Sequence, residues 1–172
     1  LPANWQLIDG YLIGPGANLI GANLTGKDLT GADLTHANVK NTTLTNTILS
    51  GTNLTNAHLS GVISGGVTGV PYALPTNWKL IDGYLIGPGA NLIGANLTGK
   101  DLTGADMTNA TAISMVLRNA TLTNTILSGA NLTNADLTGV TGAAKYNSAT
   151  ILPAGFDPVG AGWTLFGWLP FP

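Results

Sequence analysis

Leucine recurs at every fifth residue through most of this chain, and a small residue usually stands two places before it. The stretch from Ala17 to Thr35 reads ANLIGANLTGKDLTGADLT. A strict period of five matches neither the period of an amphipathic helix nor that of a half-exposed strand. Self-similarity at a fixed short period predicts a solenoid, in which each unit buries its apolar side chain only against its neighbours.

We call this series of central residues the ladder, and it runs twice along the chain. The first ladder, in residues 17–69, comprises Leu19, Leu24, Leu29, Leu34, Val39, Leu44, Leu49, Leu54 and Leu59. The second, in residues 90–142, comprises Leu92, Leu97, Leu102, Met107, Ala112, Leu117, Leu122, Leu127, Leu132 and Leu137. A narrow coil has room for one large apolar side chain on each face, so we expect the ladder residues to stack in the core.

The chain is a tandem duplication. Leu74 to Thr108 repeats Leu1 to Thr35 at all but three positions, and Asn119 to Val140 closely matches Asn41 to Val62. The spacing between these matches shows that the second copy has gained one whole pentapeptide, and it then loses five residues, since Gly139 to Gly142 matches Gly66 to Gly69 at the original offset of 73. A coil built of equivalent faces tolerates such an insertion.

Each copy opens with a hairpin signal. Asp9-Gly10 and Asp82-Gly83 lie between short apolar runs, and this dipeptide suits the positive φ angles of a two-residue type I′ turn. An isolated hairpin is marginally stable in water, so its apolar side should pack against a coil end. The predicted pairs are residues 5–8 with 11–13 and residues 78–81 with 84–86.

The ladder motif resembles that of the pentapeptide-repeat family, Ala-Asp/Asn-Leu-x-x, over roughly residues 17–69 and 90–142. The resemblance implies an all-β fold, a right-handed, four-sided parallel β-helix with about four pentapeptides per coil. Here it would form two tandem modules with β-hairpin connectors. The expected parts are an N-terminal hairpin cap (1–16), module 1 (17–69), a connector (70–89), module 2 (90–142) and a C-terminal cap or interface tail (143–172).

Composition argues against several classes of function. Six lysines and arginines against eight acidic residues give a net charge of −2, which is neither a basic footprint for nucleic acid nor a strong acidic field. The chain has no cysteine, and no apolar run approaches the ~18 residues of a bilayer span. We find no catalytic triad, P-loop or dinucleotide fingerprint. We therefore expect a protein that is not an enzyme, needs no cofactor or metal, contacts no nucleic acid directly and does not span a membrane.

The two histidines, His36 and His58, could lie on adjacent coils of one face. A metal site would need further ligands, so we interpret them as solvent-facing variation of the repeat. Aspartate occupies the outward place before the central leucine, where asparagine is equally acceptable, at Asp28, Asp33, Asp101, Asp106 and Asp136. This interchange favours a hydrogen-bonding role over acid–base catalysis, which needs a carboxylate with a tuned pKa.

Lys27 and Lys100 break the repeat, because each occupies an inward corner where alanine or threonine is usual. Burial of an unpaired ammonium group is unfavourable. We expect each lysine to reach out of the coil end or to pair with the aspartate of a hairpin turn, Asp9 or Asp82.

Most large aromatic residues lie outside the ladders, where they would suit an end-to-end interface. The predicted interface residues are Trp5, Tyr11, Trp163, Phe166, Trp168 and Phe171. The ends of a β-helix are unpaired edges, which must be capped or will pair with another chain. The sequence thus favours a structural solenoid that self-associates through its ends into a filament or surface assembly, either extracellular or at the cell surface.

Two other functions stay open. Some members of the family that the chain resembles are DNA-mimicking dimers that bind a type II topoisomerase, although such mimics need a strongly negative surface. The threonines that follow the ladder residues could form an ice- or glycan-binding surface, although they occur on several faces alike, as β-propensity alone would produce. The chain begins at Leu1 rather than at methionine, which predicts a processed product or an excised part of a longer protein.

Overall fold

The structure, a computed structural model, describes residues 1–166 of the 172-residue chain. The chain divides into two compact units, Leu1–Leu85 and a second that begins at Ile86. None of the residues described forms a helix long and apolar enough to cross a bilayer. The named strands are β1 (Gln6–Ile8), β2 (Tyr11–Ile13), β3 (Lys79–Ile81), β4 (Tyr84–Ile86), β5 (Lys145–Tyr146) and β6 (Thr164–Leu165).

Outside these strands the backbone is joined by isolated parallel bridges. Asn18 bridges Asn38, and Asn38 in turn bridges His58, so four pentapeptides complete one coil. The N–H of Leu24 donates to the carbonyl of Thr43 on the next coil at 2.9 Å. The same bridging recurs in the second unit. Each unit is therefore a four-sided parallel β-helix, as predicted.

The ladder residues form the core of each unit. Leu24, Leu97, Leu122 and Leu132 are fully buried, and Leu44 is 1% exposed. Their burial confirms the predicted core.

The threonines at the inward corner are buried, and their hydroxyl groups are hydrogen-bonded. Thr42, Thr47 and Thr52 are all fully buried. Their hydroxyl groups donate to leucine carbonyls of the preceding coil at 2.6–2.9 Å, namely those of Leu19, Leu24 and Leu29. Because the hydroxyls are hydrogen-bonded, the core accepts them at positions where alanine stands elsewhere.

Nearly every fifth residue turns a corner in the left-handed conformation. Gly21 and Gly26 have φ angles of 67° and 68°, and asparagine takes the same place at Asn41 and Asn46 with angles of 55° and 57°. Glycine has no Cβ to clash in this region, and asparagine tolerates it better than most residues do. The glycines and asparagines at these corners are thus required by the backbone conformation.

Ser114 turns such a corner with φ of 56°. The left-handed conformation disfavours a non-glycine residue by roughly 1–2 kcal/mol, and the greater freedom of glycine in the unfolded chain offsets about 0.4–1 kcal/mol of that. Ser114→Gly is therefore expected to raise the free energy of unfolding by roughly 0.5–1 kcal/mol in urea titrations.

The matched control is the reverse change at Gly99, which has φ of 68° and open space around its Cβ position. Gly99→Ser should lower the free energy of unfolding by a similar amount. An unchanged or lowered stability in Ser114→Gly would contradict this account of the corners.

Both predicted hairpins are present. β1 and β2 pair antiparallel with Leu7 opposite Leu12, and β3 pairs with β4. The Asp-Gly turns have positive φ at both residues, as at Asp9 with 52° and Gly10 with 85°. Near the C-terminal end, β5 pairs with β6 in parallel.

Candidate functional site

The side walls of the coils satisfy their own polar groups. Asn23 Oδ1 accepts hydrogen bonds from the N–H of Thr25 at 3.1 Å and from its hydroxyl at 2.6 Å. The same pair of bonds joins Thr55 to Asn53. These threonine hydroxyls are engaged within their own repeats, which weakens the idea of a free threonine array facing ice or a glycan.

The wall carboxylates accept hydrogen bonds in the same way. Hydrogen bonds from the side chain and backbone of Thr30 lower the pKa of Asp28. Bonds from Thr138 and from the Arg118 guanidinium lower the pKa of Asp136 to about 2. Carboxylates of lowered pKa remain ionised near neutral pH and are poor general acids and bases. The interpretation of these aspartates as hydrogen-bonding groups is confirmed for these two residues.

A shallow depression of about 440 Å³ lies beside Asp136, between the coil wall and the loop 153–156. The carboxylate of Asp136 is already paired with Arg118. The depression therefore offers little charge for binding a ligand.

The two histidines lie on adjacent coils at different places in the pentapeptide. His36 turns a corner with φ of 58°, and its Nε2 lies 3.2 Å from Nδ2 of Asn56. His58 is exposed on the wall and bridges Asn38. Within residues 1–166, no group of three or more histidines, cysteines or acidic residues could hold a metal ion.

Lys27 joins the first coil to the hairpin turn. Its Nζ lies 2.5 Å from Oδ2 of Asp9, and the lysine side chain is 32% exposed. This confirms the pairing predicted for Lys27. The corresponding partner of Lys100 stays a prediction.

At the N-terminal end, Trp5 and Tyr11 are directed towards the coil. Both are half-buried against the core cluster of the first unit. The Trp5 ring lies so close to Gly14 that no side chain would fit there. The Tyr11 hydroxyl oxygen accepts a hydrogen bond from the N–H of Asn23 at 3.2 Å. Both aromatics thus hold the hairpin onto the coil.

At the C-terminal end, Trp163 is only 5% exposed. Its ring packs against Phe156 and Tyr146, with centroid distances of 4.8 and 6.4 Å. Phe166 is exposed, with Lys145 Nζ 5.9 Å from its ring centroid. Trp168 and Phe171 lie outside the described residues. The interface role of these aromatics stays a prediction.

Leucines provide the exposed apolar surface of the N-terminal hairpin. Leu7 is 62% exposed and Leu12 is 50% exposed, and the two lie opposite each other across the hairpin. Neither leucine is among the interface residues predicted from the sequence. The available signal was their place on the side of the ribbon opposite Ile8 and Tyr11.

A family model described as "Pentapeptide repeats" matches the chain in eight copies, over residues 16–51, 40–63, 89–114 and 116–141, together more than half of its length. No curated protein matches the chain.

Several solved structures are similar to the chain. One is a pentapeptide repeat protein (Rfr23) from the cyanobacterium Cyanothece 51142, with 23% identity over 80% of this chain and 88% of that one and a TM-score of 0.40. Another is HetL from Nostoc sp. strain PCC 7120, a pentapeptide repeat protein involved in heterocyst differentiation regulation. It has 28% identity over 77% of this chain and 59% of HetL, with a TM-score of 0.38. A third is QnrB1, a plasmid-mediated fluoroquinolone resistance protein, with 15% identity over 79% of this chain and 76% of that one and a TM-score of 0.39.

Proteins with this repeat fold as right-handed quadrilateral β-helices, which confirms the predicted fold class. They are generally structural or protein-binding. The family model, the ladders and the four-sided coils agree, and this chain belongs to the pentapeptide-repeat family.

Proposed function

We propose that this chain is a non-enzymatic structural solenoid that associates through its ends with solenoids of its own kind, its own copies included. The observation that supports this most is the exposed apolar surface at the first hairpin and at the C-terminal strand. Leu7 and Leu12 are at least half exposed on the first hairpin, as are Leu165 in β6 and Phe166 directly after it. The ends of a β-helix also carry unpaired backbone groups, so apolar and hydrogen-bonding contacts would coincide there.

The walls support other kinds of binding less well. Mimicry of DNA requires a dense, regular negative charge, and this chain has a net charge of −2. Two of its carboxylates, Asp9 and Asp136, are already paired with cations. The wall threonines discussed above bond to their own repeats, which disfavours an ice- or glycan-binding surface.

Sedimentation velocity over a wide range of concentration tests the proposal. The intact chain is expected to increase in mass as the concentration rises. Leu12→Ser and Phe166→Ser should each weaken association by at least about tenfold, because each removes an apolar side chain from a contact.

The matched control is Ile93→Ser, since Ile93 is 57% exposed but belongs to a coil wall. This change should leave association unaltered. An intact chain that stays monomeric at the highest concentration would refute self-association, and equal weakening by Ile93→Ser would refute the role of the ends.

A further inference from the structure

The chain holds two copies of one hairpin in two different environments. Both copies contain the sequence LIDGYLIGPG. In the first, Leu7 and Leu12 are 62% and 50% exposed, whereas in the second Leu80 is half-buried and Leu85 is fully buried. We call the side of each hairpin that carries these two leucines its leucine face. Since the sequences are the same, the difference lies in what covers the face.

Residues 61–69, which belong to the last coil of the first unit, cover the leucine face of the second hairpin. The N–H of Leu85 donates to Ser64 Oγ at 2.9 Å. The N–H of Val67 donates to the carbonyl of Gly83 at 3.1 Å. The backbone of the second hairpin is therefore bound to the coil by hydrogen bonds in both directions.

The apolar contact is equally close. Leu85 belongs to the buried core cluster of the first unit, and Leu80 packs against it. A Cβ on Gly83 would lie 2.9 Å from the backbone nitrogen of Gly66. The turn of the hairpin thus lies directly on the coil end.

The first hairpin presents the same groups to solvent. Leu7 and Leu12 form the pair next to the pair that closes the turn, so their backbone N–H and carbonyl groups point away from the partner strand. A Cβ on Gly10, the counterpart of Gly83, would meet nothing within 4 Å. This surface is complementary to a coil end, but within residues 1–166 no coil end lies against it.

We propose that the leucine face of the N-terminal hairpin is a docking surface for the last coil of another pentapeptide-repeat module, one that ends as residues 61–69 do. The inference rests on the proposed function only in that the N-terminal end is an association surface. The docked coil would supply a serine hydroxyl to the N–H of Leu12, an N–H to the carbonyl of Gly10, and an apolar surface to both leucines.

The described residues of a second copy of this chain offer no free coil end of this kind. The coil end of its first unit is covered by the second hairpin. The coil end of its second unit is covered by β6, where the N–H of Thr164 donates to the carbonyl of Ala144 at 2.8 Å. In addition, Leu137 takes the place in the second unit that Ser64 has in the first, because the preceding residues form the corresponding bridges, Ile63 with Thr43 and Asp136 with Val116. A different module with a free end is therefore the better partner.

The test joins a second copy of residues 1–73 ahead of Leu1 of the full chain, which reproduces the junction between Ala73 and Leu74. Amide hydrogen exchange is then followed by NMR. The N–H of Leu12 is expected to exchange at least about tenfold more slowly than in the 172-residue chain, because docking buries it. In the extended chain, Gly10→Ala in the hairpin that follows the added residues should lower the Tm as much as Gly83→Ala does.

Two results would overturn the proposal. One is exchange of the Leu12 N–H at the same rate in the extended and the 172-residue chains. The other is slowing of this exchange to the same extent in the 172-residue chain as its concentration rises, which would make a second copy as good an occupant as a module with a free coil end. A monomeric 172-residue chain would refute self-association alone and leave docking of a separate module intact.

If the extended chain does not fold, a pair of variants of the 172-residue chain decides. Leu12→Asp should change the Tm by no more than about 2 °C, since none of residues 1–166 covers this face. Leu85→Asp should lower the Tm far more. Equal losses would show that the first leucine face is already covered, and the proposal would be wrong.

Discussion

Replacing Leu44 with alanine is expected to lower the free energy of unfolding by about 2–5 kcal/mol. Leu44 is 1% exposed and stacks one coil after Leu24, which is fully buried. The interior of a four-sided coil holds one large side chain per face. Because each coil is held to the next by backbone hydrogen bonds, such as that from the Leu44 N–H to the Ile63 carbonyl at 2.7 Å, the walls cannot move inward to fill the cavity.

The matched control is the neighbouring residue, Thr45, which lies on the wall of the same pentapeptide. Thr45→Ala should change the free energy of unfolding by no more than about 0.5 kcal/mol. Urea unfolding monitored by circular dichroism measures both variants. A loss at Leu44 no larger than that at Thr45 would mean that the ladder does not supply the core.

The ladders could be predicted because the geometry of the coil alone determines their spacing. A face that admits one large side chain forces residues such as Leu24 and Leu44 to recur at a constant interval. The spacing predicts a small residue at the inward corner that Thr47 occupies, but it does not predict the hydrogen bond that Thr47 makes there. Its hydroxyl donates to the carbonyl of Leu24 at 2.9 Å, a contact that exists only once two coils are stacked in register.

The orientation of the first hairpin could not be predicted from its sequence. Alternation shows that Leu12 lies on one side of the ribbon and Tyr11 on the other, and both sides are apolar. Which side meets a coil depends on contacts distant in sequence, such as the hydrogen bond from the Asn23 N–H to the Tyr11 hydroxyl. The sequence therefore indicated the ends of the modules as candidate surfaces, but it could not identify the side chains that face outward.

The C-terminal segment shows the same difficulty. Trp163 was predicted from its place outside the ladders to lie at an interface, and the structure buries it against Phe156 and Tyr146. The residues around it follow no repeat, so no periodic pattern could reveal which of these rings would be enclosed.

Replacing Gly83 with alanine is expected to lower the free energy of unfolding by roughly 1.5–4 kcal/mol, through two effects. Gly83 has φ of 78°, and a Cβ in this conformation is disfavoured by roughly 0.5–1 kcal/mol once the greater freedom of glycine in the unfolded chain is included. The added Cβ would also lie 2.9 Å from the nitrogen and 3.1 Å from the Cα of Gly66. Both are backbone atoms, so relief requires the hairpin to move off the coil end, at a further roughly 1–3 kcal/mol.

The chain supplies its own control for this change at Gly10, the same residue of the first hairpin. Gly10 has φ of 85° and open space around its Cβ position, so Gly10→Ala should lower the free energy of unfolding by only roughly 0.5–1 kcal/mol. The difference between the two variants, measured by urea unfolding, isolates the contact between the second hairpin and the coil end. Equal losses would mean that the coil end does not press on the turn, and the buried leucine face of this hairpin would then no longer be a template for docking at the first.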